Sequence, residues 1–184
     1  MRRVFLIAGH NGAGTGAKKY LDEGAETIIL RDDIVDWLSI NYPDLKVITD
    51  RNRDNLTLAG GLLIWLKSIF QKDDICLDLH FNASNGTATG TEVLIPDNCS
   101  ALELEGATDL SFLISNTLNL KNRGVKAESQ GQHGKLAMLS GFDCENFLAE
   151  ICFVDNQKDA TNYRQYFYQL SEAIGYWLIK TANR

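Results

Sequence analysis

Short apolar runs alternate with longer amphipathic segments along the whole chain of 184 residues. An apolar run bounded by turn residues is typical of a buried strand, and apolar positions that recur every three or four residues are typical of a helix. On this basis we predict strands at residues 3–8, 46–49, 75–80, 90–96, 135–139 and 146–154. Helices are predicted at residues 23–40, 56–70, 102–118 and 159–182. Strands separated by helices of this length predict a single α/β domain, with a mostly parallel twisted sheet of about six strands and helices on both faces.

The first predicted helix, at residues 23–40, has apolar positions at roughly helical spacing, among them Ile34 and Leu38. These positions are expected to face the core. Charged residues of the same segment, such as Arg31 and Asp36, are expected to face solvent. The pattern therefore predicts a helix with one buried face and one solvated face.

Four polar residues that could take part in catalysis lie within or next to apolar strands or at the start of a helix. His10 follows the first strand, Glu23 begins the first helix, His80 ends the third strand, and Glu150 lies inside the sixth. In a right-handed βαβ unit, the carboxyl end of a strand and the amino end of the next helix share one edge of the sheet. We therefore expect His10, Glu23 and His80 to meet at that edge.

Two imidazoles and one carboxylate form the ligand set of a catalytic zinc, which keeps a fourth position for water. Zinc lowers the pKa of such a water to about 7 and also polarises a carbonyl. A carboxylate in an apolar strand must be paired, metal-bound or neutral, and beside such a water Glu150 fits the role of general base. Glu26, on a neighbouring helical face, is the alternative to Glu23 as a ligand. Glu23 is preferred because it lies at the helix entrance, nearer the edge of the sheet. The structural alternatives are a hydrogen-bonded His80 and a Glu150 paired with Arg or Lys in the core.

Two further residues are candidates for contact with a substrate. His133 has glycines close by on both sides. It is expected either to line the cleft or to be an ordinary loop histidine. Asn82 comes two residues after His80, so in a continuing strand it points to the same side. We expect Asn82 to orient the substrate or the ligands of the metal.

Composition narrows the class of function. A hydrophobic fraction of 45% fits one compact domain with a sizeable core. The formal net charge of −6 argues against a nucleic-acid or anionic-membrane binder, and the longest apolar runs are too short to cross a bilayer. The first residues lack the apolar region and cleavage site of a signal peptide, so we expect synthesis in the cytoplasm. The four cysteines lack a metal-like pair spacing, and reduced thiols are expected.

Short motifs that include the candidate residues occur in order along nearly the whole chain. They are Gly9-His10, Glu23-Gly24, Asp78-Leu-His80-Phe-Asn82-Ala83, Gly90-Thr-Glu92-Val, Asn122-Arg123-Gly124-Val125-Lys126 and Glu150-Ile-Cys-Phe153-Val-Asp-Asn156-Gln-Lys-Asp159. With these motifs the sequence resembles the zinc-dependent N-acetylmuramoyl-L-alanine amidases called amidase type 3, found among bacterial cell-wall enzymes and phage endolysins. In this resemblance, the segment at residues 122–126 is a turn. The sequence departs from the usual D-P-G-H motif, where Ile7-Ala8 replace Asp-Pro, and at Cys152, where glycine is common.

The resemblance implies one catalytic domain over residues 1–184. It implies cleavage of the amide bond between the lactyl group of N-acetylmuramic acid and L-alanine of the stem peptide. One zinc ion would be held by His10, Glu23 and His80, with Glu150 as the catalytic glutamate. The expected partner is peptidoglycan or a muropeptide, without nucleic acid and without an integral membrane segment, and a monomer is favoured. A separate wall-binding domain is not expected. The protein is expected to act on the cell wall after release, as a phage lysin does, or on muropeptides.

Three other functions stay open at the level of sequence. A zinc exopeptidase of the carboxypeptidase type uses similar ligands, but its His and Glu are two residues apart, whereas His10 and Glu23 are thirteen apart. A thiol hydrolase would use Cys144 or Cys152, and neither has a setting that depresses the pKa of a thiol. A glycan- or peptide-binding relative without catalysis would not need Glu150.

Overall fold

The computed structural model of the chain describes residues 1–10, 12, 15–51, 61–131 and 134–184. The elements are β1 (Val4–Ala8), α1 (Glu23–Asn41), β2 (Val47–Thr49), α2 (Leu63–Ile69), β3 (Ile75–Asn82), β4 (Thr91–Ile95), α3 (Ala101–Leu118), β5 (Asn122–Ala127), a 3₁₀ turn (Glu128–Gln130), α4 (Ala137–Ser140), β6 (Glu145–Phe153), α5 (Gln157–Gln165) and α6 (Phe167–Ala182). The predicted helix at residues 56–70 is present from Leu63, and its residues 56–60 lie outside the described part of the chain.

The strands form one six-stranded sheet in the order β2-β1-β3-β6-β4-β5. Strands β2, β1, β3 and β6 are parallel to one another, whereas β4 is antiparallel to β6 and parallel to β5. The predicted mostly parallel sheet is therefore confirmed. This topology brings the carboxyl ends of β1, β3 and β6 to the same edge as the amino end of β4.

Helices cover both faces of the sheet, as predicted. On one face, a large core joins strand residues such as Leu77 to residues of α1, α3 and α6 such as Leu30 and Leu178. On the other face, a smaller cluster packs strand residues such as Phe5 against α2 and α4. Each strand in the middle of the sheet is thus buried on both sides, which explains why its sequence is nearly continuous in apolar residues.

The prediction of one strand was wrong. Residues 135–139 do not form a strand; the short helix α4, Ala137–Ser140, lies there instead. An apolar run of this length fits a strand or a helical turn equally well, so its pattern could not decide between them. The strand that completes the six-stranded sheet is β5, Asn122–Ala127, and it lies in the segment that the resemblance interprets as a turn. β5 is an edge strand with half-buried and exposed positions, and such a strand does not need an apolar pattern.

The predicted long helix at residues 159–182 is divided into α5 and α6. Tyr166 separates the two helices, with φ −109° and ψ 19°, which lies outside the helical region. The sequence contains no proline or glycine at this point, so the usual signal of a helix break is missing.

The expectation that Arg31 faces solvent was also wrong. Its side chain is fully buried, and its guanidinium group contacts the carboxylates of Asp50 and Asp32, each at 2.8 Å. Burial lowers the pKa of Arg31, but the two carboxylates raise it more, so the pKa lies above its usual value. Asp50 also accepts a hydrogen bond from the backbone N–H of Ala8 at 3.3 Å. The buried ion pair therefore fixes the end of β1, two residues before His10.

Within the described ranges, no helix combines the length and the apolar character that crossing a membrane would require. The four cysteines are free thiols, and Cys76 and Cys152 are buried.

Candidate active site

Three acidic and basic side chains lie in one row across the middle of the sheet. His80 on β3 is the register partner of Glu150 on β6, and Glu150 is the register partner of Glu92 on β4. Register partners on neighbouring strands project to the same face of a sheet. The three side chains line one cleft of about 480 Å³ at the edge where β1, β3 and β6 end.

The end of β1 and the beginning of α1 bring two more polar side chains to this row. β1 pairs with β3 up to Ala8 and Leu79, and the N–H of Gly9 continues the pairing by donating to the carbonyl of Leu79 at 2.9 Å. His10 follows directly. Its Nε2 lies 3.7 Å from Oε1 of Glu23 at the start of α1. Strand order and helix position thus bring both residues to the same edge of the sheet.

Glu23 is held in place through both of its carboxylate oxygens. Oε1 accepts a hydrogen bond from the N–H of Phe81 at 3.0 Å, and Oε2 accepts one from the N–H of Ala17 at 2.9 Å. Oε1 also lies 3.3 Å from Nδ1 of His80. Burial raises the pKa of Glu23. The hydrogen bond and charge of His80, together with the backbone N–H groups, lower the pKa by more than burial raises it, so the carboxyl group has a pKa below its usual value.

Two glycines allow the chain to pass close to these side chains. A Cβ atom on Gly9 would lie 2.0 Å from Nε2 of His80, and one on Gly16 would lie 2.5 Å from Oε2 of Glu23. Gly16 also has a φ of +71°, which side-chain-bearing residues rarely adopt. The glycines therefore serve the packing of backbone against His80 and Glu23 as well as against His10.

His10, Glu23 and His80 have the geometry of a metal site. One ligand atom from each lies within 4.8 Å of the other two. Tetrahedral zinc with bonds of about 2.0–2.2 Å sets its ligand atoms about 3.3–3.6 Å apart. Oε1 of Glu23 lies 3.3 Å from Nδ1 of His80 and 3.7 Å from Nε2 of His10, close to this spacing. The donor set of two imidazoles and one carboxylate fits the same metal. Glu26, the alternative ligand, is not a member of the group, and its carboxyl group lies near Tyr163 and Arg164.

Glu150 lines the same cleft as His10, Glu23 and His80, and it forms no ion pair among the described residues. Its Oε2 is buried and has no hydrogen-bond partner within the part of the chain that the structure describes. Burial raises the pKa of Glu150 to about 7; the charge of His80 opposes the shift, and neighbouring carboxylates such as Glu23 add to it. A carboxyl group with this pKa both accepts and donates a proton near neutral pH. The Arg or Lys partner of the structural alternative is not found among the described residues near Glu150.

The two residues expected to contact substrate have different outcomes. Asn82 lines the cleft, and its amide donates a hydrogen bond to Oε1 of Glu92 at 3.1 Å. His133 lies outside the described residues. Glu92, which the sequence showed only as part of a motif, also accepts hydrogen bonds from Arg123 and Lys126, each at 2.6 Å. Glu92, which lines the cleft, is therefore paired with two cations.

Sequence reasoning missed one residue that touches the site. Asp78 lies two residues before His80 on β3, and its Oδ2 is 3.2 Å from Nε2 of His80. Residues two apart in a strand share a face. The signal was thus present in the sequence, as a second polar residue in an otherwise apolar strand.

The cysteines show no sign of a thiol mechanism. Burial raises the pKa of the Cys144 thiol to about 12 and that of Cys152 well above its usual value. A nucleophilic cysteine needs the opposite shift, because the thiolate is the reactive form.

Comparison with known proteins agrees with the motifs in the sequence. The family model Amidase_3, described as N-acetylmuramoyl-L-alanine amidase, matches residues 4–178. A comparison with curated protein sequences finds no match.

Several solved structures share the fold. Cwp6 from Clostridium difficile has a TM-score of 0.81 and 24% identity, over 98% of this chain and 29% of that chain. The catalytic domain of CwlV, an N-acetylmuramoyl-L-alanine amidase from Bacillus (Paenibacillus) polymyxa var. colistinus, has a TM-score of 0.80 and 18% identity, over 98% of this chain and 97% of that one. The catalytic domain of the CD27L endolysin, which targets Clostridia difficile, has a TM-score of 0.75 and 21% identity, over 98% and 97%. Because the family model matches nearly the whole chain, the chain belongs to Amidase_3, the family of N-acetylmuramoyl-L-alanine amidases, and is a hydrolase.

Proposed function

We propose that the chain cleaves the amide bond between the lactyl group of N-acetylmuramic acid and L-alanine of the peptidoglycan stem peptide, with one zinc ion held by His10, Glu23 and His80. The convergence of these three side chains beside Glu150 at one edge of the sheet carries the proposal. Bound zinc would supply Lewis acidity, which polarises the amide carbonyl and makes a water acidic near neutral pH.

The protein's own residues account for the remaining chemistry. Glu23 keeps its carboxylate aimed at the two imidazoles, because Phe81 and Ala17 hold its oxygens. Glu150 accepts the proton of the attacking water and then donates a proton to the amine of L-alanine as it leaves. Its pKa of about 7 suits both steps. Asn82, which lines the cleft, is proposed to orient the substrate.

The proposal is tested by the release of new amino termini from purified peptidoglycan. Wild-type protein is expected to release stem peptides with free L-alanine, and the protein treated with a chelator is expected to release none until zinc is restored. Glu150→Gln should lower kcat by roughly 10²–10⁴-fold, the range of general acid–base catalysis. Metal analysis of freshly purified protein should find about one zinc per chain.

A matched control separates loss of catalysis from loss of structure. Glu145 lies at the other end of β6 and is paired with Arg2 at 2.6 Å, far from the cleft. Glu145→Gln should leave kcat unchanged. Release of stem peptides at the wild-type rate by Glu150→Gln or by chelated protein would refute the mechanism. Release of single carboxy-terminal amino acids in place of stem peptides would refute the substrate and favour the zinc exopeptidase.

We also propose that the chain is a single catalytic domain that acts as a monomer and reaches the wall as an endolysin does. The likeness to the catalytic domain of the CD27L endolysin supports this proposal. Sedimentation analysis should give a single species of the chain's mass of 20.5 kDa. Protein added from outside to isolated cell walls should clear them. A dimer, or activity on soluble muropeptides alone, would contradict this proposal. Neither result would contradict the proposal about which bond is cleaved.

A further inference from the structure

The carboxylate of Asp78 lies in an apolar setting. On β3 its register partners are Ile7 on β1 and Leu148 on β6, so apolar residues flank it on both sides. The side chain is 3% exposed, and its Oδ1 has no hydrogen-bond partner among the residues that the structure describes. A buried carboxylate in such a place is costly and adds nothing to the packing of the core. This position therefore calls for a reason other than stability.

Asp78 contacts His80, a proposed metal ligand, through the ring nitrogen that points away from Glu23. Oδ2 of Asp78 lies 3.2 Å from Nε2 of His80. The other ring nitrogen, Nδ1, lies 3.3 Å from Oε1 of Glu23, another of the proposed ligands. The two nitrogens of His80 thus have separate tasks, one toward the carboxylate and one toward the metal site.

A neutral imidazole carries one proton, and only the nitrogen without the proton can bind a metal. An acceptor beside Nε2 favours the proton at Nε2 and leaves Nδ1 free. It also fixes the rotation of the ring, because the hydrogen bond must keep its direction. Ligand histidines are commonly held in this way by a carboxylate behind them.

We propose that Asp78 is a positioning residue, which holds His80 with its proton on Nε2 and presents Nδ1 to the metal. The inference rests on the proposed zinc site and adds a residue to it that does not touch the metal. It predicts a specific loss, in which metal affinity falls although the three ligands are intact.

The test is the zinc affinity of the purified protein, measured by competition with a chromophoric chelator. Asp78→Asn keeps an oxygen acceptor but loses the charge, and we expect its Kd for zinc to rise about 10-fold. Asp78→Leu removes the acceptor at similar size, and we expect a rise of up to about 100-fold. Wild-type affinity in Asp78→Leu would overturn the inference.

Asp74 offers a matched control. It is equally buried, immediately precedes the same strand, and its carboxylate is paired with Arg3 at 2.6 Å, at the end of the strand away from the cleft. Asp74→Asn should lower the melting temperature and leave the Kd for zinc unchanged. An equal loss of zinc affinity in Asp74→Asn would mean that any buried charge on this strand has the effect, and the inference would fail.

A second measurement reports on the ring itself. The chain has three histidines, so a spectrum of the protein labelled with ¹⁵N-histidine is simple to assign. In the presence of zinc, His80 should show a proton on Nε2 and the shift of a metal-bound Nδ1, whereas zinc on Nε2 would refute the inference. If wild-type protein binds no zinc at all, the proposed function fails as well; if wild type binds zinc and the Asp78 variants bind it equally, only the role of Asp78 fails.

Discussion

Replacement of Gly9 by alanine should disable the site through a single added carbon. The new Cβ would lie 2.0, 2.3 and 2.4 Å from three atoms of the His80 ring, whereas an ordinary contact begins at 3.4 Å. Gly9 does not have a positive φ, so the backbone itself accepts alanine. The whole effect must therefore come from displacement of the imidazole.

The size of the effect follows from this overlap. To restore an ordinary contact, the ring or the backbone must move by about 1.4 Å, and misplacement of a catalytic group by about 1 Å can cost about 100-fold in rate. We expect kcat/KM for stem-peptide release to fall at least about 100-fold, which corresponds to roughly 2.7 kcal/mol of transition-state stabilisation. The Kd for zinc should rise in the same variant, because His80 can no longer meet Glu23 at its present distance.

Gly175→Ala is the control for a steric clash elsewhere. Its Cβ would lie 2.6 Å from the ring of Trp37, on the helical face remote from the cleft. This variant should lose about 1–3 kcal/mol of stability, as overpacked cores do, and keep the wild-type kcat/KM. If Gly9→Ala retained both wild-type kcat/KM and wild-type zinc affinity, the position of His80 would not limit the reaction, and the proposed ligand set would be wrong.

Two ion-pair predictions concern stability. Arg31→Met removes the cation that faces the buried carboxylate of Asp50, and urea denaturation should show a loss of about 3–5 kcal/mol; a loss below about 1 kcal/mol, typical of a surface pair, would contradict the burial described here. Burial raises the pKa of Glu92, but hydrogen bonds from Lys126 and Arg123 lower it below the usual 4.5. The stability that this carboxylate contributes is therefore complete above about pH 4.5 and is lost as the pH falls through its pKa in the folded protein. The difference in unfolding free energy between wild type and Glu92→Gln should thus be larger at pH 7 than at pH 3, and an equal difference at both would refute the assignment.

The site was largely predictable because its residues are polar at positions where the pattern of the chain would otherwise predict apolar core residues. His10 and His80 directly follow or end apolar runs, and parallel strands separated by helices bring such ends to one edge. Glu23 begins the first helix at the same edge. Topology alone thus gave the meeting of three residues and favoured Glu23 over Glu26, although the distances between them needed the structure.

The parts that could not be predicted depend on contacts between distant segments. Arg31 is buried because Asp50, on another element, supplies its counter-charge, and no local pattern shows this. β5 forms because β4 offers it a free edge, and its own sequence has little strand character. The break at Tyr166 has no breaker residue in the sequence. For Arg31 and β5, a tertiary interaction overrides a local preference.

The electrostatics of the cleft show why its residues stand out in the sequence. The carboxylates of Glu23, Asp78 and Glu150 lie around the imidazoles of His10 and His80, in or beside strands whose other residues are mostly apolar. Burial lowers the pKa of His80, but the carboxylates raise it well above its usual value, and the pKa of Glu150 rises to about 7. Both shifts retain protons where negative charge is in excess. Burying these charged side chains costs free energy. Apolar residues at the same positions would pack as well without that cost, so stability of the core alone does not explain them. The same cost therefore makes the site visible as a few polar positions in apolar strands, and in the proposed zinc site a bound cation would balance the negative charge.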